Sequence, residues 1–141
     1  MSKAFTRESE DGPEPVAQRR GVPAPEPNYM TPAGERAARS ELASCRDDVR
    51  IRELTDHLAT AQIVGPPAER DTVSLGARVT IEDESGKRTS YRIVGALEAD
   101  ARHGLVFWQS PIAQRLYGNR VGDAISLPRG GEAEIVAIEY D

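Results

Sequence analysis

The sequence predicts an α+β fold: a short antiparallel helical hairpin followed by an antiparallel β domain carrying one small helix. Three observations point there. Apolar residues between positions 33 and 64 recur at helical spacing and stop at Gly65-Pro66-Pro67. Beyond Val73 the period changes to two, with Val79 and Ile81 alternating against Arg78, Thr80 and Glu82. Turn signals at Glu84-Ser85-Gly86-Lys87 and Pro128-Arg129-Gly130-Gly131 then divide the second half into short strands.

Residues 1–28 hold five of the ten prolines and almost no large apolar residue. Such a segment buries too little surface to offset its ordering entropy, so it reads as a disordered, partly extended tail. Order is expected to begin at Tyr29. Thr31 suits an N-cap and Pro32 the first helical position, where a missing N–H costs nothing. Ala38, Leu42, Cys45 and Val49 cluster on one helical face. Ile51, Leu54, Leu58 and Ala61 cluster nearly opposite. A break near residues 44–48 lets the two stripes face each other as a hairpin; one continuous helix is the alternative. The organisation expected is thus a tail (1–28), a short coiled-coil arm (29–64), a linker (65–72) and a C-terminal domain (73–141). In that domain strands are expected over 78–82, 89–94, 105–108, 124–127 and 133–140, with a helix at 111–117. The stretch 104–123 contains the only Trp, Trp108, and a Ser110-Pro111 step into the small helix.

Composition narrows the function. The net charge is −5. It is spread evenly: residues 1–28 carry four basic and five acidic groups, residues 29–64 five and six, residues 65–141 nine and twelve. No basic arm exists, so direct sequence-specific DNA binding is not expected. Cys45 is the single cysteine and builds no disulfide or cysteine-based metal site within one chain. No apolar run approaches the ~20 residues of a membrane span, and Arg19-Arg20 lacks a following apolar run. A cytoplasmic, monomeric protein is the simplest expectation.

No enzyme motif is present. His57 and His103 lack partners at metal-ligand spacing, Ser110 lacks the context of a nucleophile elbow, and there is no phosphate-binding glycine loop. No catalytic residue, cofactor or metal is assigned. Asp47-Asp48 has two readings. The pair could hold a hard divalent cation at the tip of the hairpin, or it caps the second helix, where negative charge is favoured. Ser44 with Asp47 also fits a capping box.

Several motifs resemble the Gre family of bacterial transcription elongation factors, with its relatives among the nucleoside diphosphate kinase regulators. Met30-Thr31-Pro32-Ala33-Gly34-Glu35 is similar to the start of the family's first arm helix, and Ala61-Gln62-Ile63-Val64 to the end of its second. Leu75-Gly76-Ala77-Arg78-Val79, Ser90-Tyr91-Arg92-Ile93-Val94-Gly95, Glu98-Ala99-Asp100, Ser110-Pro111-Ile112-Ala113, Val121-Gly122-Asp123 and Ile138-Glu139-Tyr140 resemble its C-terminal domain. The resemblance implies an N-terminal coiled coil and an FKBP-like C-terminal domain. It further implies docking at the rim of the RNA polymerase secondary channel, with the coiled coil entering the channel. In the family, acidic residues at the coiled-coil tip help hold Mg²⁺ and promote cleavage of backtracked RNA. Here the long central part of the arm, with that acidic tip motif, is absent. Each helix of 14–16 residues would span roughly 21–24 Å at 1.5 Å per residue, about half a family arm. Carried over residue by residue, the polymerase contact falls on Gln109, Ser110 and Pro111, with Ile112 and Arg115 following; Pro111 and Ile112 also read simply as helix start and core. The expectation is a polymerase-binding factor that modulates elongation without stimulating cleavage. The alternatives are a cleavage stimulator using Asp47 and Asp48, or a regulator of the kinase-regulator type.

Overall fold

The computed structural model describes residues 22–140; the tail reading of residues 1–21 lies outside the described residues. The chain runs through strand β1 (Asn28–Met30), helices α1 (Pro32–Ser44) and α2 (Asp48–Thr60), strand β2 (Ala61–Ile63), strands β3 (Arg78–Asp83), β4 (Arg88–Val94) and β5 (Leu105–Phe107), helix α3 (Pro111–Leu116), and strands β6 (Ala124–Ser126) and β7 (Glu132–Glu139). The fold is α+β, as the patterning predicts.

α1 begins where the sequence places it. The Thr31 side chain accepts from the Gly34 N–H at 2.9 Å, and Pro32 occupies the first turn. It stops at Ser44, and residues 45–47 turn the chain into α2, so the helices form a hairpin and not one continuous rod. Each helix has 13 residues, or about 20 Å at 1.5 Å rise, slightly shorter than expected. Met30, Ala38 and Leu54 are buried between them, with Leu42 and Leu58 packed alongside. Val49, expected in the apolar stripe, is 60% exposed because it lies in the first turn of α2, beyond the packed part of the hairpin. α2 also ends before Gly65-Pro66-Pro67. The Asn28 amide donates to the His57 carbonyl at 2.9 Å, satisfying an orphan acceptor at the helix end. The next three residues pair in parallel with β1, from Asn28↔Ala61 to Met30↔Ile63. This two-stranded sheet was not expected from the sequence, where each strand is only three residues long.

The second sheet has five strands in the order β5-β4-β3-β7-β6. β3 pairs antiparallel with β4 and β7, and β6 with β7. The expectation of an all-antiparallel sheet fails at one edge, where β5 runs parallel to β4. The connection from Gly95 to Gly104 includes a 3-10 turn at Ala101–His103 and is long enough to carry the chain back to the level of Arg92, so that β5 pairs with the last three residues of β4. α3 lays Ala113 and Leu116, both fully buried, against the core of Val79, Ile81, Ile93 and Ile135. Tyr140 and Tyr117 anchor the segment entering this domain: the Ser74 N–H donates to the Tyr140 hydroxyl at 3.0 Å, and the Leu75 N–H to that of Tyr117 at 3.2 Å.

Hairpin and sheet meet at a close joint. The Tyr29 and Trp108 rings stack at a tilt with centroids 5.2 Å apart. The Thr31 hydroxyl donates to the Glu98 carboxylate at 2.8 Å. The Val64 N–H donates to the Met30 carbonyl at 2.9 Å, holding the exit of the arm against its entrance. Two glycines allow this proximity. A Cβ at Gly34 would sit 2.1 Å from the Glu98 carboxyl carbon, and one at Gly95 only 2.3 Å from the Tyr29 carbonyl oxygen. The first obstacle is the end of a flexible side chain and the second is backbone, so the two positions should respond differently. Gly95→Ala is expected to lower stability by about 2–3 kcal/mol, the upper part of the range for overpacking a tight contact, and Gly34→Ala by about 1 kcal/mol, the cost of one displaced hydrogen bond. Equal, negligible shifts in denaturant midpoint for both variants would contradict this account of the joint.

Candidate functional site

The residues singled out from the sequence fall in two places, the tip of the hairpin and the start of α3. At the tip, Asp47 is the N-cap of α2. Its carboxylate accepts from the Val49 N–H at 3.0 Å and the Arg50 N–H at 3.4 Å. The Ser44–Asp47 capping box is not formed: Ser44 is the last residue of α1, so Asp47 takes the cap position that the box would give to the serine. Asp48 opens the first turn of α2 and is exposed, where its charge complements the helix dipole. The two residues are adjacent in the chain, and the Asp47 carboxylate is directed at backbone N–H groups. Among the described residues, no group of three or more His, Cys, Asp or Glu side chains is placed to hold a metal ion.

Just behind the tip, Arg50 joins the two helices. Its guanidinium donates through Nε and Nη2 to both Glu41 carboxylate oxygens, at 2.7 and 2.8 Å, and through Nη1 to Glu53 at 2.7 Å. The fork-to-fork pairing with Glu41 is the geometry in which Arg–carboxylate bonds are strongest. Hydrogen bonds donated to Glu41 and then to Glu53 raise the Arg50 pKa above its already high ordinary value despite partial burial, so the clamp stays charged. Cys45 is a half-buried free thiol at the turn.

His57 and His103 differ from each other. His103 is exposed, and its Nδ1 lies 2.8 Å from an Asp100 carboxylate oxygen. His57 is 1% exposed, and its Nε2 lies 2.8 Å from the Val22 carbonyl oxygen. Periodicity could not reveal that burial, because residues 22–28, assigned from composition to the disordered tail, cover this face of α2.

At the start of α3, Ser110 is the N-cap, with its hydroxyl oxygen 3.4 Å from the Ala113 N–H, and Pro111 occupies the first turn. Ile112 is half-buried and packs on the core. It also lines a groove of about 640 Å³ whose apolar part includes Ile81, Tyr91, Val106 and Leu127, with Asp83, Lys87 and Arg129 contributing charge. Arg115 is exposed and donates to the Ser126 carbonyl at 2.7 Å, tying α3 to the edge strand β6. Gln109 and Pro111 are exposed. Gln109, Ser110, Pro111, Ile112 and Arg115 therefore run along α3 from the loop before its N-cap to its last turn, and of them Ile112 borders a groove that no sequence pattern outlines. Ser110 and Ile112 carry structural roles there, whereas Gln109, Pro111 and Arg115 remain accessible.

These features are those of a two-part factor, a helical hairpin locked onto a small α+β domain. The family model described as transcription elongation factor, GreA/GreB, C-terminal, matches residues 66–140. The chain is 36% identical over 117 residues to the transcription elongation factor GreA of Acidiphilium cryptum, covering 76% of this chain and 74% of that protein. It is 42% identical over 97 residues to GreA of Alkalilimnicola ehrlichii, covering 64% of this chain and 61% of that one. Among solved structures it is similar to GreA factor homolog 1 (Gfh1) of Thermus thermophilus, with 26% identity and a TM-score of 0.46 over 79% of this chain and 98% of the other. The chain belongs to the GreA/GreB family of transcription elongation factors. Among the described residues, no helix is long and apolar enough to cross a membrane.

The cap geometry separates the two tip carboxylates energetically. Asp47→Ala is expected to cost about 1 kcal/mol, the usual value of an N-cap. Asp48→Ala should stay within about 0.5 kcal/mol, as for exposed positions. Chemical denaturation of the two variants checks this, and equal losses would contradict the assignment of Asp47 as the cap.

Proposed function

We propose that this protein docks on RNA polymerase through the α3 end of its C-terminal domain, at the rim of the secondary channel. It presents its hairpin to the channel and modulates elongation without stimulating transcript cleavage. It is not an enzyme in its own right. Membership in an elongation-factor family supports the partner in general. The observation that carries the lack of cleavage is the tip. The helices extend only about 20 Å, and the Asp47 carboxylate is turned back onto the backbone of α2. A carboxylate accepting backbone N–H bonds gives up hydrogen bonds if it turns outward to a metal, a cost of about 1 kcal/mol or more each.

The docking surface in this reading is Gln109, Ser110, Pro111, Ile112 and Arg115, beside the groove under α3. Short loops on a rigid scaffold are where contacts concentrate. Two other readings each have an observation in their favour. Asp48 is exposed next to Asp47, which favours a cleavage stimulator. The short hairpin itself favours a regulator of the nucleoside diphosphate kinase regulator type.

Wild-type protein should be retained by immobilised core RNA polymerase at micromolar concentration, and absence of retention would end the docking reading. Gln109→Lys combined with Arg115→Glu should weaken retention at least about tenfold, equivalent to 1.4 kcal/mol, beyond the small loss of stability expected from the Arg115–Ser126 hydrogen bond, which Arg115→Ala alone measures. Undiminished binding would move the contact elsewhere on the domain. On backtracked complexes, wild type and Asp47→Ala/Asp48→Ala should give equal, unstimulated cleavage. Stimulation by wild type that the double variant loses would establish the cleavage reading instead.

A further inference from the structure

The buried polar groups of α2 are not used by the tip or by the α3 surface. Glu53 is 7% exposed and His57 is 1% exposed, one helical turn apart on the same face. Both engage the backbone of one residue. The Val22 N–H donates to Glu53 Oε2 at 2.7 Å, and His57 Nε2 lies 2.8 Å from the Val22 carbonyl oxygen. A carbonyl only accepts, so Nε2 carries the hydrogen in this contact. Glu53 and His57 therefore supply an acceptor and a donor that grip the N–H and C=O of a single residue, irrespective of its side chain.

The segment gripped is suited to the task. Val22 is followed by Pro23, Ala24, Pro25, Glu26 and Pro27. Proline fixes φ and removes the N–H, so the segment loses little entropy on binding, and Val22 and Ala24 are the only donors among residues 22–25. Val22, Pro23 and Ala24 border a depression shared with Val49, Arg52 and Asp56 of α2. The same residues with Pro25 border a second one, shared with Ala96, Ala99 and Phe107 of the C-terminal domain. The segment thus lies between hairpin and domain, and continues through Asn28, whose amide is bonded to the end of α2.

We propose that the Glu53–His57 face of α2 is a backbone-reading binding site for a proline-spaced peptide segment. Its resident ligand is residues 22–28 of the same chain, acting as a latch that fixes the hairpin on the C-terminal domain. The latch is independent of which partner the protein binds. It gives Glu53 a structural reason to be buried: the carboxylate is satisfied by Arg50 on one side and by the latch on the other.

Two measurements on the full chain test it. By NMR hydrogen exchange, the Val22 amide should exchange about 10–100-fold more slowly than an unstructured one, the equivalent of a hydrogen bond to a charged acceptor. Exchange at the unstructured rate would overturn the proposal. Val22→Pro removes the N–H that Glu53 accepts, and Val22→Ala controls for the loss of the valine side chain; the position lies outside the strands and helices. Spin labels at Cys45 and at an introduced Arg129→Cys report the hairpin-to-domain distance. The wild type should give one narrow distribution, Val22→Ala should match it, and Val22→Pro and His57→Ala should broaden it. His57→Gln, which keeps an N–H donor, should restore at least part of the narrowness. A Val22→Pro distribution as narrow as wild type would show that the contact is incidental.

Discussion

The close passage of two backbones at Gly95 and Tyr29 is the constraint on which the rest depends. With no side chain at Gly95, the entrance of the arm lies directly against the turn that follows β4. That proximity brings Thr31 within reach of Glu98, and Tyr29 onto Trp108. The Glu98 carboxylate then occupies the space that a side chain at Gly34 would need. The cap of α1 is thereby part of the inter-domain contact, so the direction in which the hairpin leaves the domain is set by the same atoms that start its first helix.

From this base the hairpin is held by a second device of different chemistry. Its apolar interface is small, built on Met30, Ala38 and Leu54, and two 13-residue helices are marginal on propensity alone. The Glu41–Arg50–Glu53 chain adds charge-assisted bonds near the turn, where the apolar contacts run out. Burial of Glu53 would be unfavourable if it were alone. It is tolerated because Arg50 and the Val22 N–H both reach it. The tip carboxylates belong to this scheme, since Asp47 starts the helix that carries Arg50 and Glu53.

Much of this was legible from local patterns. The Thr31 cap with Pro32, the Ser110 cap with Pro111, the Glu84–Lys87 turn and the alternation through Val79 and Ile81 depend on residues near one another in sequence. The misses share one cause. The β1–β2 pairing joins residues 33 apart, the parallel β4–β5 pairing depends on the path of an irregular connection, and burial of Glu53 and His57 depends on a segment about 30 residues upstream. Residues 22–28 resembled disordered chain because they are rich in proline and almost without large apolar residues. They are ordered by backbone hydrogen bonds to buried side chains, which composition does not register.

The sequence by itself determined the α+β class, the Thr31 and Ser110 caps and the family, because each follows from short-range stereochemistry or from motifs spread along the chain; it left open whether residues 44–48 break the arm into a hairpin and what Asp47 does there. Only the tertiary structure decided what those motifs do together. It showed that Gly34, Gly95 and Glu98 form a joint, that Asp47 faces its own helix, and that Ile112 of α3 borders a groove. The physical reason is that a close backbone approach, the direction of a carboxylate and the burial of a histidine are relations between segments, and they exist only once the segments have met.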